Sequence, residues 1–157
     1  ILNLNHQGNI IARMSVNPED IIRQVEFGTS PLDKRIEAIN KLSQAGYEVG
    51  IIIAPVIFVE NWENKYLELI KKIESQLSED AKKNIFFEVI FMTYSYVHMK
   101  INEEAFENSI QIFNKELMTG RGKGKYWYKE KIRQEGTKFF NENLTKYFLN
   151  NKIAYIV

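Results

Sequence analysis

The run VGIIIAPVIF, residues 49–58, is apolar at odd and even positions alike. A strand with one face in water alternates, so an unbroken apolar run marks a strand covered on both sides, the habit of parallel sheets. Parallel neighbours need long crossover connections, and the flanking sequence supplies them. Upstream, over about residues 9–17, Ile10, Ala12, Met14 and Val16 alternate with Ile11, Arg13, Ser15 and Asn17, so one face is greasy and the other turns polar. Between these strands Leu32, Ile36, Ile39 and Leu42 recur at helical spacing. Ser30 is placed to cap that helix, Pro31 to open its first turn, Asp33 to complete a capping box and Gly46 to stop it. Downstream, Trp62, Tyr66, Leu69, Ile73 and Leu77 mark a second amphipathic helix, and IFFEVIFM a third strand with Glu88 isolated among apolar neighbours. Strand, helix, strand, helix, strand predicts an α/β fold with right-handed crossovers, as an open sheet or a barrel. In a barrel, inward residues near the C-terminal strand ends build the site, which turns Arg13, Ser15 and Asn17 toward chemistry. Taken alone, the first strand also suits an antiparallel sheet with a solvated polar face.

Composition sets the remaining bounds. With 157 residues, 45% of them hydrophobic and 26% charged, the chain can bury a core and is not of a disordered type. It has no cysteine and two isolated histidines, which excludes disulfides, thiolate nucleophiles and Cys-based zinc or iron–sulfur sites within it. The net charge of +1 singles out no class of partner. The opening ILNLNHQGNII has neither a basic n-region nor a long apolar run, so no signal peptide or membrane-spanning helix is expected. A start at Ile1 suits truncation or processing.

Beyond about residue 95 the pattern changes. Phe106, Ile110, Phe113 and Leu117 make a helix face, MTGRGKGKYWY interrupts it, Ile132, Phe139, Leu144 and Phe148 indicate a last helix, and IAYIV is a short strand or extended tail. Residues 1–95 therefore read as one set of strands and helices, and 96–157 as an extension packed on them. From Gly120 to Arg133 the balance is +5, with Arg121, Lys123, Lys125, Lys129, Lys131 and Arg133 against Glu130. Such a cluster attracts phosphates, while Tyr126, Trp127 and Tyr128 offer flat faces to bases. Gly120, Gly122 and Gly124 suit a hairpin over about residues 119–129. A solvated loop with inward aromatics is the competing reading. GRGKGK lacks the spacing and the Lys-Ser/Thr ending of a Walker loop. Gly28-Thr29-Ser30 reads as a capped turn rather than an anion site, His6 and His98 as structural or exposed, and Glu26, Glu60 and Glu88 as unconnected acids.

The stretch HQGNIIARMSVNPEDIIRQVEFGTSPLDKRIEAINKLSQAGYEVGIIIAPVIF, with the later GRGKGKYWY, closely resembles the spore photoproduct lyase family. The likeness runs from His6 almost to the end, looser from about Thr93 to Thr119. It implies the C-terminal part of a radical S-adenosylmethionine partial (β/α) barrel with an added basic β-hairpin and C-terminal helix. The activity implied is repair of the spore photoproduct thymine dimer, begun when a reduced 4Fe-4S cluster cleaves S-adenosylmethionine to a hydrogen-abstracting radical. The cluster ligands, the hydrogen-donor cysteine and the N-terminal half would lie outside these residues, leaving this portion inactive alone. By the same resemblance Ser15 and Ala54 match cofactor-contacting positions, with Asn17 an added expectation for that pocket. Lys125, Tyr126 and Tyr128 match the hairpin at the lesion, and Arg121 and Lys123 join it by charge and proximity. The partner implied is damaged double-stranded DNA, with no membrane, in the cytoplasm of a spore or germinating cell. The competing classes are a non-enzymatic nucleic-acid-binding module and a radical enzyme acting on a small molecule.

Overall fold

The computed structural model describes residues 1–106 and 110–157. Strand β1 (Ile11–Val16) leads into a short helix α1 (Glu19–Val25) and then α2 (Leu32–Gln44), which returns to strand β2 (Glu48–Val56). Helices α3 (Trp62–Gln76) and α4 (Glu79–Asn84) precede β3 (Phe86–Phe91). The third strand continues almost directly into β4 (Thr93–Ser95), followed by α5 (Tyr96–Ala105). A hairpin of β5 (Met118–Gly122) and β6 (Lys125–Tyr128) then leads to α6 (Glu130–Tyr147) and the last strand β7 (Lys152–Ile156).

The main sheet has the order β1-β2-β3-β7, and every adjacent pair is parallel. Sequential parallel neighbours joined by right-handed crossovers place the core-packed helices α2, α3 and α6 on the same face. A doubly wound sheet reverses its order and covers both faces; this one does not, so it is a wall of a barrel. The predicted parallel α/β arrangement is therefore observed, and IAYIV is a strand. No helix among the described residues is long and apolar enough to cross a membrane.

The core lies between the helices and the outer face of the wall. Leu32, Ile36 and Ile39 of α2, Tyr66, Ile70 and Ile73 of α3, and Phe140 and Leu144 of α6 are buried against Val16, Ile51, Ile53, Phe87 and Val89. Each such side chain contributes roughly 1.5–3 kcal/mol by leaving water. Helix α6 closes on α3 through Trp62–Phe139 and Tyr66–Phe140, with ring centroids 5.0 and 5.4 Å apart. Gly136 makes that approach possible: a Cβ there would lie 2.6 Å from Phe58 and 3.0 Å from Phe91.

Two local expectations fail for physical reasons. Helix α2 starts one residue later than predicted, with Pro31 at its cap and no side-chain cap bond. The Ser30 carbonyl accepts from Arg35 Nε at 2.7 Å, while Asp33 turns to Lys72 at 2.8 Å and to Gln76, so its carboxylate is not left for a capping box. That ion pair, with a hydrogen bond from Gln76, holds the Asp33 carboxyl below its usual range. The helix expected through Phe106, Ile110, Phe113 and Leu117 is also absent: α5 ends at Ala105 and residues 110–117 are not helical, while 107–109 lie outside the described residues. Phe113 stacks on Tyr94 at 5.6 Å instead, so a tertiary aromatic contact overrides the local periodicity. By contrast, Gly46 stops α2 as predicted at φ +83°, with Gly46 N–H on Ser43 O and Tyr47 N–H on Leu42 O.

Candidate functional site

The inner face of the wall carries the polar residues. Residues paired across parallel strands point the same way, so the pairs Arg13–Gly50, Ser15–Ile52 and Ile52–Glu88 put Arg13, Ser15, Ile52 and Glu88 on one face. Ala54, two residues beyond Ile52, shares it. Exposure agrees: Ser15 is exposed and Ile52 and Ala54 are half-buried, whereas Val16, Ile51 and Ile53 face the helices and are buried. Arg13 Nε donates to Glu88 Oε2 at 3.0 Å, and its guanidinium lies over Phe86 at 5.5 Å. Phe86 in turn lies flat over Gly50, where a Cβ would come within 2.5 Å of the ring. Glu88, only 4% exposed, owes its burial to this cover, and its partner cation offsets the cost of burying a carboxylate. Tyr155 of β7 pairs with Glu88, and partial burial together with that carboxylate raises its phenol above the ordinary value.

At the C-terminal end of β1 lies a buried cation that strand and helix periodicity do not single out. Arg35 of α2, 5% exposed, donates to Glu26 Oε2 at 2.7 Å, Thr29 Oγ1 at 2.7 Å, Ser30 O at 2.7 Å and Ser15 O at 3.1 Å. It thus ties the loop EFGTS to the backbone of Ser15. Asn17 corrects an expectation: it is fully buried, its Nδ2 donates to Glu26 Oε1 at 2.7 Å, and its Oδ1 accepts from the Tyr66 hydroxyl at 3.2 Å. Both ends of the amide are therefore engaged on the helix side, and Asn17 supports the strand end rather than lining a pocket. The Tyr66 hydroxyl also accepts from Ile57 N–H at 2.9 Å, and burial raises its phenol strongly.

The hairpin is sewn to the wall where β3 ends. Its β6 strand pairs antiparallel with β4, matching Thr93 with Trp127, Tyr94 with Tyr126 and Ser95 with Lys125. Lys123 (φ +51°) and Gly124 (φ +67°) form the two-residue turn, both in the left-handed region that such a turn requires. Alternation splits β6 into two faces. Tyr126 and Tyr128 share one face, with Tyr126 half-buried against Phe113 at 4.8 Å. Lys125 and Trp127 share the other. A cleft of about 430 Å³ at the strand ends is lined by Ala54, Pro55, Ile90, Met92, Thr93 and Tyr94. An adjoining one of about 500 Å³, which shares Tyr94, is lined by Phe113, Met118 and Tyr126.

Tyr128 is a second correction. Expected at the nucleic-acid surface, it is 2% exposed, packs edge-on to Phe58 at 4.6 Å, and its hydroxyl accepts from Phe58 N–H at 3.2 Å. Burial pushes its phenol up to about 12. It anchors the hairpin to the core and cannot reach a ligand. Arg121, Lys123 and Lys125 are exposed on the hairpin as placed by the sequence. Glu26, Glu60 and Glu88 do not converge: Glu26 serves Arg35, Glu88 serves Arg13, and Glu60 is exposed. His6 is structural, stacked on Tyr47 at 4.0 Å and bonded to the Ala45 carbonyl. Among the described residues no cluster of His, Asp or Glu is arranged to hold a metal ion.

Comparison with known proteins gives this geometry a family. The family model for spore photoproduct lyase matches residues 1–157. The spore photoproduct lyase of Bacillus subtilis (strain 168) is 33% identical over 99% of this chain and 46% of its own length. That of Clostridium acetobutylicum is 31% identical over 100% of this chain and 47% of its own. Among solved structures, a spore photoproduct lyase mutant with bound AdoMet and dinucleoside spore photoproduct superposes with a TM-score of 0.92 at 26% identity, over 99% of this chain and 47% of that one. The chain thus spans just under half the length of the relatives it matches. With its wall of parallel strands and its hairpin, it belongs to the spore photoproduct lyase family.

Proposed function

We propose that this chain is the C-terminal part of an enzyme that repairs the spore photoproduct, 5-thyminyl-5,6-dihydrothymine, in double-stranded DNA. The observation that carries the reading is the seam at the end of β3, which joins a basic hairpin to the rim of a parallel wall through the β4–β6 pairing. Residues 1–95 supply most of the wall, and 96–157 supply the hairpin, α6 and β7.

The residues present suit S-adenosylmethionine. Ser15 offers an exposed hydroxyl at a strand end, Ala54 a backbone beside the cleft without a bulky side chain, and Ile52 and Ile90 half-buried apolar surface. Reductively cleaved at a 4Fe-4S cluster, that cofactor supplies a hydrogen-abstracting radical. The chain has no cysteine, so cluster ligands come from outside it, in the N-terminal half of the same protein.

The chain's own part is to bind, orient and shield. Arg35 holds the Ser15 backbone in place, which steadies the strand end that carries the hydroxyl. Productive hydrogen abstraction needs reacting atoms within about 3–3.5 Å and water kept away, so a rigid strand end is worth more here than a loop. Damaged bases leave the duplex at a cost of roughly a few kcal/mol. Arg121, Lys123 and Lys125 would hold the opened backbone, while Tyr126, beside the cleft at β4, offers a ring to the extruded lesion.

The test is an anaerobic assay of the intact, cluster-loaded protein on an oligonucleotide carrying the lesion. Restored thymines support the reading; no restoration by loaded protein overturns it. Ser15→Ala should weaken S-adenosylmethionine binding, and an unchanged affinity removes Ser15 from the site.

A further inference from the structure

The face of the hairpin opposite Tyr126 and Tyr128 is built around Trp127, which the site above does not use. Two guanidiniums lie over Trp127, Arg121 from β5 at 4.6 Å from the ring centroid and Arg133 from α6 at 4.7 Å. Thr93 and Thr119, its partners on either side in the sheet, are both exposed. Lys125 belongs to the same face by alternation along β6. One side of this small sheet therefore carries Tyr126 and Tyr128 and the other carries the cations, with Thr93 and Thr119 at the rims of the two clefts.

We infer that Arg121, Trp127 and Arg133 form a site for nucleic-acid phosphodiester groups that carries the basic surface of the hairpin onto α6. A guanidinium lying on a ring keeps its N–H edge free, in the plane that a phosphate accepts bidentately. Holding it there removes rotamer freedom before the ligand arrives, so less is lost on binding. Arg121 forms no ion pair among the described residues, and Arg133 uses one guanidinium nitrogen on Glu130 at 3.4 Å, with no further side-chain partner among the described residues. The exposed hydroxyls of Thr93 and Thr119 add donors suited to a phosphate backbone. Because Arg133 sits in the first turn of α6, the stack also extends the basic surface from the hairpin onto a helix packed in the core. The ligand is the sugar–phosphate backbone and not a base: Trp127 has guanidiniums on it and is not an open stacking platform.

This inference rests on the reading of the protein as DNA-binding, and its test separates the two. The intact protein is titrated with a fluorescein-labelled 20-base-pair duplex without a lesion, by anisotropy at several KCl concentrations. For every phosphate no longer neutralised, the slope of log affinity against log salt should shrink by about 0.9, and affinity at 0.1 M salt should fall roughly 5- to 10-fold. Arg121→Gln with Arg133→Gln should thus lower the slope by about two. Trp127→Leu keeps every charge, so the slope should stay while affinity falls severalfold. Wild-type slopes and affinities in both variants overturn the inference while leaving the DNA-binding reading intact. A wild-type protein that binds no duplex overturns both.

Discussion

Arg35 carries more of the candidate site than its exposed neighbours do. Four acceptors converge on one buried guanidinium, and truncating it would leave Glu26, half-buried, without its cation. Arg35→Ala should therefore cost roughly 3–5 kcal/mol in chemical denaturation of the intact protein. Arg35→Lys should recover little of it, because a single ammonium cannot span the fork of acceptors. Tyr128 allows a sharper check. Its neutral phenol belongs to the folded state, with a pKa raised from 10.0 to about 12. The stabilisation, roughly 2–3 kcal/mol, is complete below pH 10 and lost as pH rises through about 12. Spectrophotometric titration should show a late phenolate component that Tyr128→Phe reduces; an unaltered late component would contradict the burial. Ser15 and Arg13 were legible from strand alternation alone. Asn17 shares their parity, yet the chain leaves the strand at Val16 and turns the amide toward Glu26 and Tyr66. Arg35 carried one usable signal, an arginine adjoining the apolar stripe of α2, and Glu88 another, a lone acid in an apolar strand.

Elements with strong periodicity were readable, and those made by long-range pairing were not. The apolar runs of β2 and β3 and the stripes of α2, α3 and α6 decide their own structure by burial. β4 is three residues long and exists because β6, some thirty residues later, pairs with it. Nothing local in Thr93–Ser95 announces that partner. Residues 110–117 show the converse, a helical pattern dissolved by the packing of Phe113 on Tyr94 and Tyr126. α6 offers a prediction at this scale. Its Gly136 lies against Phe58 and Phe91 in a gap that a methyl group would fill at 2.6 Å. Gly136→Ala should destabilise by roughly 1–3 kcal/mol despite the higher helix propensity of alanine, as measured by thermal or chemical unfolding. A stabilised variant would show that α6 has room to move.

At the scale of the molecule, the order β1-β2-β3-β7 makes a wall with α2, α3 and α6 packed on one side and the polar residues Arg13, Ser15 and Glu88 on the other. The β1-β2-β3 part of that order was implicit in the strand–helix alternation, whereas the place of β7 and the position of the hairpin were not. The hairpin could have projected anywhere after β3, and only the β4 seam sets it at the strand ends where Ala54 lies. The claim that cofactor face and hairpin serve one cavity is therefore a claim about that seam. Its most direct measurement is the initial rate of lesion repair in duplex DNA by intact, cluster-loaded protein, at subsaturating DNA, with and without Lys125→Ala and Tyr126→Ala together. The account predicts a rate at least about fivefold lower in the double variant, by loss of a charge and a stacked base worth roughly 1–3 kcal/mol. Repair at the wild-type rate would contradict it.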